Sequence, residues 1–242
     1  MSSTTRTGLL LASAILLAWL ISLAGLVVVD LAALPWPLLV LAVLLRTQLQ
    51  TGLFIVGHDA MHGSLWRGRP PWNHRLGALA LVLYAALPYG RCCRHHRRHH
   101  RAPGTALDPD APPDPGAGVL AWYLRFMARY LSLPQMGFLL GGWAVLALVS
   151  SSISAGSWAN VLVFASLPLL LSSLQMFVFG TVLPHRVQCR AEGDAAVESL
   201  PLAPIFSLLA CYHFSYHSQH HHWPDLAWFE LPTRRFAPLS GR

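Results

Sequence analysis

The chain has 242 residues, of which 54% are hydrophobic and 11% are charged, and its formal net charge is +7. Because soluble domains carry about 25% charged residues, this composition excludes an ordinary soluble protein and predicts an integral membrane protein. The 17 basic residues are all arginine. They lie beside apolar segments, as the positive-inside rule describes, and no nucleic-acid-binding motif accompanies them.

Four apolar segments are long enough to cross a bilayer, which takes about 20 residues in a helix. The first exceeds the 7–15 apolar residues of a signal peptide and is expected to be a retained membrane helix. The pattern predicts an all-α membrane protein of one domain, residues 1–242, with its spans paired in two hairpins. The predicted spans are residues 8–29, 36–57, 136–153 and 158–181.

The segments between the spans are shorter or more polar. Residues 64–75 and 186–198 are predicted to be polar loops, and 102–118, rich in Pro, Gly and Asp, an irregular loop. Apolar stretches at 76–87 and 200–216 are too short to span comfortably. Together with 119–133, they are expected to form re-entrant or interfacial helices.

Arginine placement predicts the orientation of these spans. The two turns at residues 30–36 and 151–157 contain no arginine, whereas segments 64–132 and 185–242 contain 15 of the 17. By the positive-inside rule, both termini are expected in the cytoplasm, in an inner-membrane protein. The four cysteines, Cys92, Cys93, Cys189 and Cys211, would then be reduced and structural.

Thirteen histidines are present, and eight of them form three boxes. Residues 58–62 read H-x-x-x-H, and residues 96–100 and 217–221 both read H-x-x-H-H. Side chains three or four residues apart share one helix face, so each box on a helix would offer two or three ligands. The predicted ligands in these boxes are His58, His62, His96, His99, His100, His217, His220 and His221.

All three boxes are predicted to lie on the cytoplasmic face, where they would converge on a site for two metal ions. His185, just beyond the fourth span, is a further predicted ligand. His95 and His213 lie beside boxes and are expected behind the ligands or in solvent, as is the box residue Gln219. Asp59, the carboxylate inside a box, is predicted to lie on a different helix face from His58.

Imidazole ligands suit iron, zinc or copper. A metal pair at a membrane surface favours oxygen chemistry on a lipophilic substrate. Zinc hydrolysis and metal transport remain alternatives. Zinc sites usually hold three or four ligands per ion, and transport would favour ionisable residues within the spans.

One face of the second predicted span carries polar side chains at membrane depth. Thr47, Thr51 and Phe54 lie near the face of His58, and Gln50 lies further round. They are predicted to line a substrate slot below the metals. The alternative is that the threonines only hold neighbouring helices together.

The order of the three boxes resembles that of the membrane fatty-acid desaturase and hydroxylase superfamily. Four longer strings are similar to those of bacterial β-carotene ketolases of the 4-oxygenase type. These strings are GLFIVGHDAMHG at 52–63, HHRAPGT at 99–105 followed by DPD at 108–110, FGTVLPH at 179–185, and CYHFSYH at 211–217. The similarity extends over roughly residues 50–235.

The resemblance implies a di-iron enzyme that uses O2 to oxidise C4 of a β-ionone ring by two hydroxylations, after which loss of water leaves a ketone. β-Carotene would give echinenone and canthaxanthin, and zeaxanthin would lead to astaxanthin. The chain lacks a flavin, haem or iron–sulfur motif, so electrons would come from an external donor such as reduced ferredoxin. A carotenoid hydroxylase or a fatty acyl desaturase of the same superfamily is the nearest alternative.

The resemblance also bears on the residues around the ligands. Asp108 and Asp110, in its DPD string, are expected to stand behind the ligands or to take part in binding. Ketolases commonly have Glu before the last histidine pair, where this chain has Gln219. That departure removes an outer carboxylate of the kind that orients ligating histidines.

Overall fold

The computed structural model describes residues 1–114, 116–185 and 197–234. Within these ranges the secondary structure is helical, without a β-strand. Nine helices are labelled in chain order, and a 3-10 helix, Trp228–Arg234, follows them. They are α1 Ser3–Leu26, α2 Trp36–His62, α3 Pro70–Ala85, α4 Tyr89–Arg101, α5 Val119–Tyr130, α6 Leu133–Ser151, α7 Ser157–Val182, α8 Pro204–Cys211 and α9 His217–His222.

Four helices, α1, α2, α6 and α7, are long and apolar enough to cross a membrane. Even α6, with 19 residues, extends for about 28 Å at 1.5 Å per residue, close to the thickness of a hydrocarbon core. The prediction of four candidate spans is therefore confirmed, with ends that differ by a few residues. Their pairing into hairpins stays a prediction.

The helix after the second predicted span begins earlier than the sequence analysis expected. Residues 64–75 were predicted to be a loop, but α3 starts at Pro70. Prolines in the first turn of a helix lose no hydrogen bond, so Pro70 and Pro71 start α3. α3 ends at Ala85, the next residue, Ala86, has φ 52°, and α4 leaves α3 at an angle of 99°.

Helix α7 contains two π-helical turns, at Leu162–Ser166 and Phe177–Val182. Pro168 lacks the N–H that would reach the Phe164 carbonyl, and Arg46 of α2 takes its place, with Nε donating to that oxygen at 3.0 Å. A second nitrogen of Arg46 donates to the Trp19 carbonyl of α1 at 2.7 Å. The buried arginine therefore joins three candidate spans.

Glycines let α2 and α3 approach each other closely. A Cβ atom at Gly57 would lie 2.6 Å from the Leu81 side chain. Because His58 follows Gly57, this contact fixes the end of α2 against α3, the helix that leads into α4. Cys92, Cys93 and Cys211 are buried free thiols, whereas Cys189 lies outside the described residues.

Candidate metal centre and substrate cavity

Three helices present the histidine boxes. His58 and His62 are one turn apart at the end of α2, and Gly63, with φ 76°, follows the helix. The second box lies on α4 and the third on α9. His185 lies three residues beyond α7 and is buried. All nine histidines predicted as ligands are thus in the described part of the chain.

The structure brings these nine histidines into two clusters, within each of which the candidate ligand atoms lie no more than 4.8 Å apart. Both α4 and α9 contribute to both clusters. Side chains three or four residues apart share a helix face, but they do not point in the same direction, so one helix can reach both clusters. Cluster 1 contains His58, His62, His96, His100 and His220. Cluster 2 contains His99, His185, His217 and His221.

Ring nitrogens face each other in both clusters, within one helix or between helices. In cluster 1, Nε2 of His100 lies 2.9 Å from Nε2 of His220. In cluster 2, Nε2 of His221 lies 2.9 Å from that of His99 and 3.2 Å from that of His217. Two imidazoles bound at right angles to one ion at about 2.1 Å would be about 3.0 Å apart. These spacings fit ligands gathered around an ion.

Several of these nitrogens are buried with no hydrogen-bond partner in the described residues. They include both ring nitrogens of His58 and Nε2 of His185. An unpaired buried polar atom costs about 1–3 kcal/mol. Lone pairs directed into a shared space recover that cost when a cation binds them, so the donor set fits a metal at each cluster.

With the exception of His99, burial keeps these rings in the neutral form. Desolvation, followed by the repulsion of neighbouring rings, holds the pKa of His217, His220 and His221 well below its usual value. Burial likewise lowers the pKa of His185 to about 3. A metal ligand must be deprotonated, so at neutral pH these lone pairs are available.

Asp108 orients one candidate ligand. Nδ1 of His99 lies 2.9 Å from the Asp108 carboxylate, which also accepts the backbone N–H groups of Gly104 and Asp110. Burial alone would raise the pKa of Asp108, but these hydrogen bonds outweigh it and lower the pKa. Burial opposes protonation of His99, but the carboxylates of Asp108 and Asp110 outweigh this effect and raise the pKa of His99. The pair directs Nε2 of His99 into cluster 2.

Changing Asp108 to Asn is expected to weaken metal binding by about 10- to 100-fold, the usual effect of losing an outer carboxylate. Titration of apoprotein with Fe(II) measures this change. Asp114→Asn, an exposed position in the same loop, is the matched control and is expected to bind like the parent protein. Equal affinities for the two variants would contradict the orienting role.

Four other residues expected near the ligands lie outside both clusters. Oδ1 of Asp59 is 3.7 Å from Nδ1 of His58, beyond hydrogen-bond range, and Oδ2 accepts the Trp228 N–H. Gln219 accepts a hydrogen bond from Ser199. The His95 ring packs edge-on against Tyr130, and Nδ1 of His213 contacts the Ser207 hydroxyl.

A cavity of about 240 Å³ leads to the clusters. Its inner end includes His58, His96, His99 and His217, so both clusters are reached from it. Most of its walls are apolar side chains from the candidate spans and α5. Together with Leu87 and Phe214, these side chains include Phe54, Tyr123, Phe126, Met127, Tyr130, Leu139, Trp143, Leu169 and Leu170.

The predicted slot on α2 is corrected at three of its four positions. Phe54 lines the cavity, but Thr47, Gln50 and Thr51 are not among its lining residues. Thr47 donates to the Val43 carbonyl of its own helix, and Thr51 contacts Ser172 and Gln175 of α7. Gln50 accepts from Trp19 of α1. Thr51 and Gln50 therefore hold helices together, whereas Thr47 is paired within α2.

Sequence analysis missed the contribution of α5. Tyr123 and Tyr130 are separated by two helical turns and share a face, and both line the cavity. An aromatic face repeating at that spacing was the available signal. Asp110, which was expected near the ligands, also lines the cavity beside Tyr130.

A sequence model of the fatty acid desaturase family matches residues 34–237. This chain belongs to that family. Among curated proteins, a β-carotene ketolase from Paracoccus sp. (strain N81106 / MBIC 01143) is 41% identical over 96% of this chain and 93% of its own length. No solved structure matches this desaturase-family chain.

More distant relatives have related names. A β-carotene ketolase of Haematococcus lacustris is 36% identical over 80% of this chain and 60% of its own length. A zeaxanthin 4-ketolase of Chlamydomonas reinhardtii is 35% identical over 77% of this chain and 42% of its own length. The resemblance to ketolases drawn from the four sequence strings is confirmed, and these relatives identify the chain as an enzyme.

Proposed function

We propose that this enzyme is an O2-dependent di-iron oxygenase that converts the C4 methylene of carotenoid β-ionone rings to a ketone. The observation that carries the proposal is the apolar cavity whose inner end is lined by histidines of both clusters. A long hydrocarbon requires such a cavity, and the names of the relatives specify the ring. β-Carotene and zeaxanthin are the proposed substrates.

The two clusters would hold one iron each, through five imidazoles in cluster 1 and four in cluster 2. When bound, the iron pair supplies the O2 chemistry that oxidises an unactivated C–H bond. The chain itself orients the ligands, as Asp108 does for His99, and keeps their lone pairs available. O2 is the cosubstrate.

The cavity walls bind and position the substrate. Phe54 and Phe214 contact the space beside His58, and the Phe214 and His58 ring centroids are 4.6 Å apart. Apolar walls exclude water from the reacting carbon. A ring inserted to the inner end would reach the clusters, while its polyene follows the space between α5, α6 and α7.

Each hydroxylation converts C–H, O2, two electrons and two protons into C–OH and water. A second hydroxylation at the same carbon gives a geminal diol, which loses water and leaves the C4 ketone. One ring oxidised in this way turns β-carotene into echinenone, and two give canthaxanthin. Zeaxanthin would give astaxanthin by the same steps.

Pigment analysis in a bacterium that makes β-carotene tests this function. Echinenone and canthaxanthin are expected when the chain is expressed, and neither is expected with His58→Ala. Products hydroxylated at another ring carbon would favour a carotenoid hydroxylase, and altered acyl chains would favour a lipid desaturase. Unchanged pigments beside a folded, iron-loaded protein would reject the ketolase proposal.

The electrons are proposed to come from reduced ferredoxin docking on α4. His96, His99 and His100 lie on its inner face, whereas Arg94, Arg97, Arg98 and Arg101 are exposed on the opposite face. Within the described residues none of these arginines has a salt-bridge partner. An acidic donor there would be separated from the clusters by about one helix diameter, 10–12 Å.

The double variant Arg94→Gln/Arg101→Gln is expected to raise the KM for reduced ferredoxin about five- to tenfold and to weaken its salt dependence, because exposed charges steer association. Turnover at saturating donor should stay near that of the parent. Arg6→Gln/Arg125→Gln removes the same charge elsewhere and serves as the control. Equal effects of both pairs would place docking away from α4.

We also propose that the protein lies in the cytoplasmic membrane with both termini and the metal centre on the cytoplasmic side. The turns α1–α2 and α6–α7 contain no arginine, as expected outside the cytoplasm. Cysteine labelling from either side of the membrane, at positions placed in each turn, tests this orientation.

A further inference from the structure

An acidic side chain in the wall of an apolar cavity requires an explanation. Asp110 lines the cavity near its inner end, and its Oδ2 lies 3.9 Å from Nδ1 of His99. A hydrocarbon ring makes no use of a carboxyl group, and burying one among apolar walls is costly. The residue is therefore placed for a polar species that arises inside the cavity.

Asp110 is held firmly and one of its oxygens stays free. Its Oδ1 accepts the Tyr130 hydroxyl at 2.9 Å, its N–H donates to Asp108, and its carbonyl accepts Nε1 of Trp122. Oδ2 accepts no hydrogen bond from the described residues. The side chain keeps 13% of its surface exposed, and it lines the cavity.

We propose that Asp110, positioned by Tyr130, accepts a hydrogen bond from the C4 alcohol formed in the first hydroxylation and retains it for the second. The inference rests on the proposed ketolase function. A hydroxyl group held at Oδ2 would anchor the carbon beside His99, so that the remaining C4–H bond stays near the clusters. The Asp110–Tyr130 pair would then make the product a ketone instead of a released alcohol.

The amount of C4 alcohol that the enzyme releases, relative to the ketone, measures how well it retains this intermediate. Asp110→Asn and, separately, Tyr130→Phe are assayed with the iron-loaded enzyme, O2, reduced ferredoxin and β-carotene, and C4 alcohols and ketones are quantified. Asp110→Asn is expected to raise the ratio of alcohol to ketone about tenfold, the effect of weakening a hydrogen bond to a charged group. Tyr130→Phe should raise it by a smaller factor.

A second readout separates retention from general damage to the site. With the C4 alcohol supplied as substrate, its KM should rise in Asp110→Asn, whereas the KM for β-carotene should not change. Tyr123→Phe is the matched control, because Tyr123 is two turns away on α5 and its hydroxyl contacts Ser173. Because Tyr123 lines the cavity, this variant is expected to bind the polyene less tightly, but its alcohol-to-ketone ratio should equal that of the parent.

Several outcomes would overturn the inference. Unchanged alcohol-to-ketone ratios in both Asp110→Asn and Tyr130→Phe, with only slower turnover, would limit the pair to a structural role. An equal rise in Tyr123→Phe would assign the effect to the cavity as a whole. A parent enzyme that oxidises no carotenoid would instead reject the proposed function, which pigment analysis of the parent alone reveals.

Discussion

Replacing His220 with alanine is expected to lower ketone formation by more than about 100-fold, beyond the effect of losing a residue behind a ligand. His220 belongs to cluster 1, which loses one of five imidazoles. The iron content should fall from two to about one per chain, since cluster 2 keeps its four histidines. Iron analysis and product assays on the same preparation measure both effects.

His222, two residues after His220, provides the control. His222 follows on the same helix but lies outside both clusters, and its ring packs against Trp223. His222→Ala should therefore keep both irons and most of the activity. If His220→Ala retained two irons and normal turnover, cluster 1 would not be a metal site. Loss of both irons in His222→Ala would contradict the assignment of ligands.

Filling the cavity with a larger side chain is expected to have the second large effect on turnover. Leu139→Trp adds bulk to the wall formed by α6 and is expected to reduce turnover of β-carotene by about 100-fold, because a small misplacement of the reacting carbon costs that much. The metal centre is not altered, so the iron content should stay at two per chain. Product assays and iron analysis again separate substrate access from metal loss.

Leu140 is the matched position for this substitution. It follows Leu139 on α6 but is 53% exposed and does not line the cavity. Leu140→Trp should leave turnover near that of the parent. Equal losses in the two variants would mean that a tryptophan on α6 disturbs the helix, and normal turnover in Leu139→Trp would show that the substrate enters by another route.

Much of the fold could be predicted because its signals are local. The four candidate spans follow from the length and composition of apolar segments, and the helical boxes follow from histidines three or four residues apart. The start of α3 could not be read from the same signals. Pro70 and Pro71 indicate a loop when taken alone, but in the first turn of a helix they cost no hydrogen bond.

The polar residues of α2 show why the slot could not be predicted. Periodicity puts Thr47, Thr51 and Phe54 on neighbouring parts of one face, but it does not reveal what that face contacts. Packing against α7 gave Thr51 the partners Ser172 and Gln175, whereas Phe54 met the cavity. The partners of Thr51 lie on a helix more than 100 residues away along the chain.

The sequence by itself determined the number of candidate spans, the three histidine boxes and the resemblance to ketolases, since each depends on residues close together in the chain. Only the tertiary structure decided how the nine histidines divide into clusters of five and four. It also placed Asp108 behind His99, and Asp110 and Tyr130 in the cavity wall. Those contacts join α2, α4, the loop after α4, α5, the residues just beyond α7, and α9, and their geometry is set by the packing of these elements against one another.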